Sequence, residues 1–278
     1  MSKQIVLIDC PDAKGLVYNI TKVIYDLGLN IISNHEFVDS NSGYFLMRTV
    51  LEGSHPEEPF RKKLTDVLPE EANIRLSALR KKPVVILATK ETHCLGDLLL
   101  RNADNELACD IKAVISNHDS LRKLTESFNI PYHYISAEAY SREEHEQKIL
   151  ACLNDYEPEY LVLAKYMRIF TPGFIKHYPY RIINIHHSFL PAFIGASPYQ
   201  QAFERGVKII GSTSHFVTEN LDEGPIIVQD VIPVNHTFTA AGMARAGRDI
   251  EKNVLAKSLK LVLENRVFIY KDKTIVFD

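Results

Sequence analysis

Apolar and polar positions follow one rhythm at the start of this chain and another after it, and the change falls at Arg80-Lys81-Lys82-Pro83. Before that cluster, short apolar runs at residues 5–8, 31–38, 44–51 and 74–79 predict strands, and the spacing predicts helices over 16–27 and 56–68. Leu16, Ile20, Val23, Ile24 and Leu27 recur as the stripe that lines one buried helix face. Asn41-Ser42-Gly43 predicts a hairpin between two of the strands. The order is βαββαβ, and residues 1–82 are therefore expected to form a ferredoxin-like unit, a four-stranded antiparallel sheet with both helices on one side.

After Pro83 the order becomes strand then helix, repeatedly. Strands are expected at 84–88, 111–116, 132–135, 160–163 and 182–185, with helices at 95–101, 120–128, 141–153 and 172–177. Ser141-Arg142-Glu143-Glu144 has the spacing of a capping box. Such alternation predicts a doubly wound, mostly parallel α/β sheet over residues 83–278, with ligands at the carboxyl ends of its strands. Two more apolar runs at 208–217 and 225–234, a long helix at 239–264 and a hairpin around Lys271-Asp272-Lys273 complete the chain.

Composition narrows the class. The 278 residues are enough for two domains with real cores, and 24% charged residues with a net charge of −3 describe an ordinary soluble protein. Basic residues form no long run, so nucleic acid binding is not expected. The N-terminus enters an apolar strand that Asp9 soon interrupts, with neither signal-peptide core nor membrane span, and a cytoplasmic protein is expected. Cys10, Cys94, Cys109 and Cys152 show no paired spacing and read as reduced, partly buried thiols.

Candidate chemistry concentrates in Ile182-Ile183-Asn184-Ile185-His186-His187, because the two-residue period of a strand puts Asn184 and His186 on one face. Asp222 follows in a loop that ends in Gly224-Pro225. An amide, an imidazole and a carboxylate supply an oxyanion donor, a proton carrier and a group that orients or ionises that carrier, which suits attack on a carbonyl. By spacing alone these residues, with His187 and His215, also read as a histidine-rich patch. A metal site built from His186, His187, His215 and Asp222 is disfavoured because no HExxH motif accompanies them, and none is expected. His187, one step along the strand, is expected to face away from His186.

Asn184-Ile185-His186, Ser188-Phe189-Leu190-Pro191, Gly195-Ala196-Ser197-Pro198 and the later Asp222 resemble the signature of enzymes that use 10-formyltetrahydrofolate as a formyl donor. The opening Asp9-Cys10-Pro11-Asp12-Ala13-Lys14-Gly15-Leu16-Val17 resembles the first loop of ACT domains, small amino-acid-binding or pairing modules. An ACT-like front joined to a formyltransferase-like half is the architecture of the formyltetrahydrofolate deformylase family. That resemblance implies hydrolysis of 10-formyltetrahydrofolate to tetrahydrofolate and formate, with Asn184, His186 and Asp222 catalytic and no prosthetic group. It also implies that the strand end at Met167, Arg168, Ile169 and Phe170, and the loop with Thr218 and Leu221, hold the folate. Glycine or methionine are the implied effectors, near Asp12, Gly15, Asn30 and Ile31, in a homodimer or homotetramer that serves purine synthesis.

Two relatives compete with this expectation. Phosphoribosylglycinamide formyltransferases must hold a phosphorylated amine, yet the turn from Thr89 to Asp97 has one glycine and two carboxylates, a poor phosphate cradle. Methionyl-tRNA formyltransferase would need a further nucleic-acid-binding domain, for which the chain is expected to be too short.

Overall fold

The structure is a computed structural model that describes residues 2–192 and 198–277. The chain forms two compact units, the first from residues up to Arg80 with Glu264–Phe268 and the residues from Val276, the second from Lys81–Leu263 with Ile269–Ile275.

In the first unit the order is β1 (Lys3–Pro11), α1 (Leu16–Asp26), β2 (Asn30–Asp39), β3 (Tyr44–Glu52), α2 (Glu57–Thr65) and β4 (Asn73–Ala78). The sheet runs β2-β3-β1-β4 and every neighbouring pair is antiparallel. Val6, Ile8, Met47 and Leu51 turn to one face and meet Ile20 and Ile24 of α1 and Phe60 and Leu64 of α2, so both helices lie on one side. The opposite face is covered as well, by residues the pattern had assigned elsewhere. Arg48 donates from Nε and Nη2 to the carbonyls of Asn265 and Glu264 at 3.0 and 2.9 Å, and the Arg75 guanidinium lies 4.9 Å above the Phe268 ring. The C-terminal segment thus supplies part of the first unit as well.

The second unit contains β5 (Lys82–Ala88), α3 (Thr92–Ala103), β6 (Cys109–Ser116), α4 (Arg122–Glu126), β7 (Tyr132–Tyr134), α5 (Arg142–Asn154), β8 (Tyr160–Ala164), α6 (Pro172–Ile175) and β9 (Ile182–His186). It continues through α7 (Pro198–Arg205), β10 (Ile209–Phe216), β11 (Ile226–Pro233) and α8 (Ala240–Leu263). β12 (Val267–Tyr270) and β13 (Lys273–Val276) pair as a hairpin. The seven strands run β11-β10-β9-β8-β5-β6-β7, parallel from β9 to β7 and antiparallel where β10 and β11 extend the edge. Val84 to Ala88 are all 0% exposed, as expected of a central strand covered on both faces. Each such aliphatic side chain contributes about 1.5–3 kcal/mol by leaving water. Strand order reverses between β5 and β8, and there the Thr89 hydroxyl accepts the Met167 N–H at 3.0 Å. That reversal opens a crevice at the carboxyl ends.

Local signals act where they were read. Ser141 accepts from the Glu144 N–H while Glu144 caps the Ser141 N–H, a complete capping box. α7 has no counterpart in the expected elements, and α4 is shorter than expected.

Candidate active site

Asn184 and His186 reach the carboxyl end of β9 on one face, and the antiparallel neighbour β10 places His215 directly opposite Asn184 and Thr213 opposite His186. Facing residues of an antiparallel pair interact directly. His215 Nδ1 donates to the Phe216 carbonyl at 2.9 Å, which leaves Nε2 to accept from Asn184 Nδ2 at 3.2 Å. The amide is thereby held by one N–H, and its other N–H stays available.

Asp222 closes the group. Its Oδ2 lies 3.3 Å from His186 Nδ1 and its Oδ1 3.7 Å from His215 Nε2. Asp222 has φ 56°, the left-handed region, where side chains other than glycine are strained and where active sites store strain. Gly224 permits this loop: a Cβ there would fall 1.7 Å from the Phe216 carbonyl oxygen. Burial alone would raise the Asp222 carboxyl, but the hydrogen bond and charge of His186 outweigh it and hold it well below the usual carboxylate range. His186 is 6% exposed, and its Nε2 is buried without a partner among the described residues. One ring nitrogen is thus anchored and the other left for a ligand.

His187 does not face away. β9 ends at His186, so strand alternation no longer governs the next residue, and the two imidazole centroids lie 5.2 Å apart. Burial first, then the charges of Lys165 and His186, push the His187 imidazole down to about 4.

These residues line a cavity of about 410 Å³, which also takes in Met167, Arg168, Ile169, Phe170, Thr218 and Leu221. Met167, Ile169 and Leu221 are 60, 57 and 55% exposed, so they form an open apolar wall rather than core. Phe170 also belongs to the core, stacked 3.9 Å from Phe174. The Tyr166 hydroxyl, buried and without a partner among the described residues, is a further polar group in this wall. Tyr166 and Lys165 were not singled out as site residues by sequence reasoning, and His215 was weighed only in the histidine-rich patch and the disfavoured metal site. His215 depends on the β9–β10 register, whereas Tyr166 and Lys165 flank the singled-out strand end and were within reach.

Other expectations meet the structure unevenly. Asp12 and Gly15 line a separate cavity of about 250 Å³ in the first unit, with Glu36, Phe37 and Val38. Asn30 and Ile31 lie at the far end of β2, opposite Glu52 and Leu51, whereas the Asp12 N–H donates to Gly43 at the hairpin. The chain by itself does not bring the four together. Gly15 has φ 91°, the left-handed region that favours glycine, and a Cβ there would meet nothing within 4 Å. Gly195, Ala196 and Ser197 lie outside the described residues. Burial raises the Cys94 thiol strongly, which disfavours the thiolate. Cys94, His93 and Glu251 come within metal-binding distance of one another, but Glu251 already binds Lys165 and Tyr199.

The formyl transferase family matches residues 82–259. Over 276 residues, 99% of each chain, the sequence is 54% identical to a formyltetrahydrofolate deformylase of Haemophilus influenzae. It is 43% identical to the enzyme of that name from Bacillus subtilis, across 98% of this chain and 93% of that one. The crystal structure of a formyltetrahydrofolate deformylase from Pseudomonas syringae superposes with a TM-score of 0.96 at 41% identity, covering 100% of this chain and 95% of the other. A glycinamide ribonucleotide transformylase from Symbiobacterium toebii gives 0.69 at 29% identity, covering 71% of this chain and 95% of its own.

Proposed function

Because this chain belongs to the formyltetrahydrofolate deformylase family, we infer that it is a hydrolase converting 10-formyltetrahydrofolate to tetrahydrofolate and formate. Transfer to an amine is not favoured, since the deformylase likeness spans the whole chain and the transformylase likeness 71% of it.

The observation that carries the mechanism is the His186 ring, with Nδ1 facing Asp222 at 3.3 Å and Nε2 buried and without a protein partner among the described residues. With the folate against Met167 to Phe170, Thr218 and Leu221, the formyl oxygen lies between Asn184 Nδ2 and His186 Nε2. Water attacks the formyl carbon and Asp222 takes its proton, directly or through His186. As the C–O bond forms, both donors stabilise the oxyanion. When the C–N bond breaks, His186 returns a proton to the departing nitrogen and formate remains. Each step uses groups of the chain itself, and the folate is a substrate rather than a resident cofactor.

The βαββαβ order and the cavity beside Asp12 and Gly15 support reading residues 1–82 as an ACT-like regulatory and pairing domain, and residues 83–278 as the catalytic domain. Glycine or methionine would bind there, with Asn30 and Ile31 contributed across a homodimer or homotetramer. No helix of the described residues is long and apolar enough to cross a membrane. A cytoplasmic enzyme that releases formate for purine synthesis fits this reading.

Formate release from 10-formyltetrahydrofolate without an added acceptor is the direct test. Asn184→Ala is expected to lower kcat about 100- to 1000-fold, the usual loss for one oxyanion donor. Asp222→Asn should be at least as damaging, and wild-type turnover in either variant would remove these residues from the mechanism.

A further inference from the structure

The catalytic cavity shares Lys165, Met167 and His187 with a second cavity of about 350 Å³. Apart from Met167, that second space is walled by residues the mechanism above leaves unused. Lys165 follows the last residue of β8 with φ 60°, a backbone strained for any side chain but glycine. Its side chain is 5% exposed and its ammonium stands 3.3 Å from Glu251, itself 1% exposed. Glu251 is held further by the Tyr199 hydroxyl and by His93 Nε2, each at 2.7 Å. Tyr199 rests on the α8 backbone at Gly247, where a Cβ would fall 2.0 Å from the phenolic oxygen. The end of β8, α3, α7 and α8 therefore converge on a single buried ion pair beside the reacting centre.

A formyl donor seated in the first cavity leaves the second as the adjoining space from which a nucleophile can come. The donor and the oxyanion are the same whether water or an amine attacks, and transformylase structures share the catalytic scaffold at 28–32% identity. The outcome then depends on what this second space admits. A lysine side chain fixed in the shared wall by Glu251 fills volume an amine would need. It offers water a hydrogen-bond donor at no comparable cost.

We propose that Lys165, held in the wall by Glu251, selects water over an amine as the formyl acceptor; the proposal rests on the hydrolytic reading. Single-turnover reactions with excess enzyme, 10-formyltetrahydrofolate and either hydroxylamine or glycinamide test it by the ratio of N-formyl product to formate. Lys165→Gly suits the backbone, and the double variant Lys165→Gly/Glu251→Gln avoids leaving an unpaired buried carboxylate. Relative to wild type, both variants are expected to raise the ratio at least tenfold, with saturation as amine concentration increases. An unchanged ratio overturns the proposal, as does a rise that never saturates. Loss of both products in both variants also overturns it, because lysine would then serve the water reaction itself. Failure of the wild-type protein to release formate would defeat the hydrolytic reading and this proposal together, whereas an unchanged ratio defeats the proposal alone.

Discussion

Asn184 and His186 were legible because period two alone puts them on one face and the apolar run around them supplies a strand. His187 was misread because the same rule was carried one residue past the end of β9. Its placement has a measurable consequence. Burial and two neighbouring cations lower the imidazole from 6.5 to about 4, so the unfolded chain binds the extra proton across that window and the folded chain does not. Stability linked to His187 is therefore complete above about pH 6.5 and is lost as pH falls toward 4, by on the order of 3 kcal/mol. Urea unfolding of wild type and His187→Gln at pH 7 and at pH 4.5 checks this. The wild-type protein should lose more stability between the two pH values, and equal losses would show that His187 is not the buried neutral group described.

Among elements, the parallel strands were readable because each is a short apolar run bounded by a helix, and the ends of β8 and β9 follow from where ligands bind in such sheets. The pairing of β10 with β9 was not readable, since antiparallel register depends on contacts between distant residues rather than on local pattern. His215 entered the site through that register, opposite Asn184. The loop after β10 carries Asp222 at φ 56° and is seated by Gly224 against the Phe216 carbonyl. Gly224→Ala must push this loop away from β10, because the new Cβ would overlap a backbone atom that cannot swing aside. Overpacking of this kind costs about 1–3 kcal/mol, a moderate loss for a whole unit. For the Asp222 carboxylate, a shift of about 1 Å is enough to lower turnover about 100-fold. The expected variant is thus folded, with far-UV circular dichroism unchanged and a slightly lower melting midpoint, but nearly inactive. Full activity would mean that the loop does not need its contact with β10.

For the whole molecule, the change of rhythm near Pro83 located two units, yet it could not show that the chain's end belongs to the first of them. Nothing in the periodicity of residues 264–268 names a distant partner, and the reason lies instead in Arg48. Only 6% exposed, it reaches the carbonyls of Glu264 and Asn265 through Nε and Nη2, and burial pulls its guanidinium below the usual arginine range. A buried charge is tolerated only while its donors are engaged. Deleting the chain from Glu264 onward removes both acceptors and, with them, the buried Phe268, and losing one buried aromatic side chain alone costs about 3–5 kcal/mol. Such a loss is a large share of the stability of an 80-residue unit. Hydrogen exchange of the truncated protein should therefore show β1 and β3 losing protection in the first unit while β5 and β8 of the second keep theirs. Full protection of β1 in the truncated protein would show that the C-terminal residues are accessory to the first core rather than part of it.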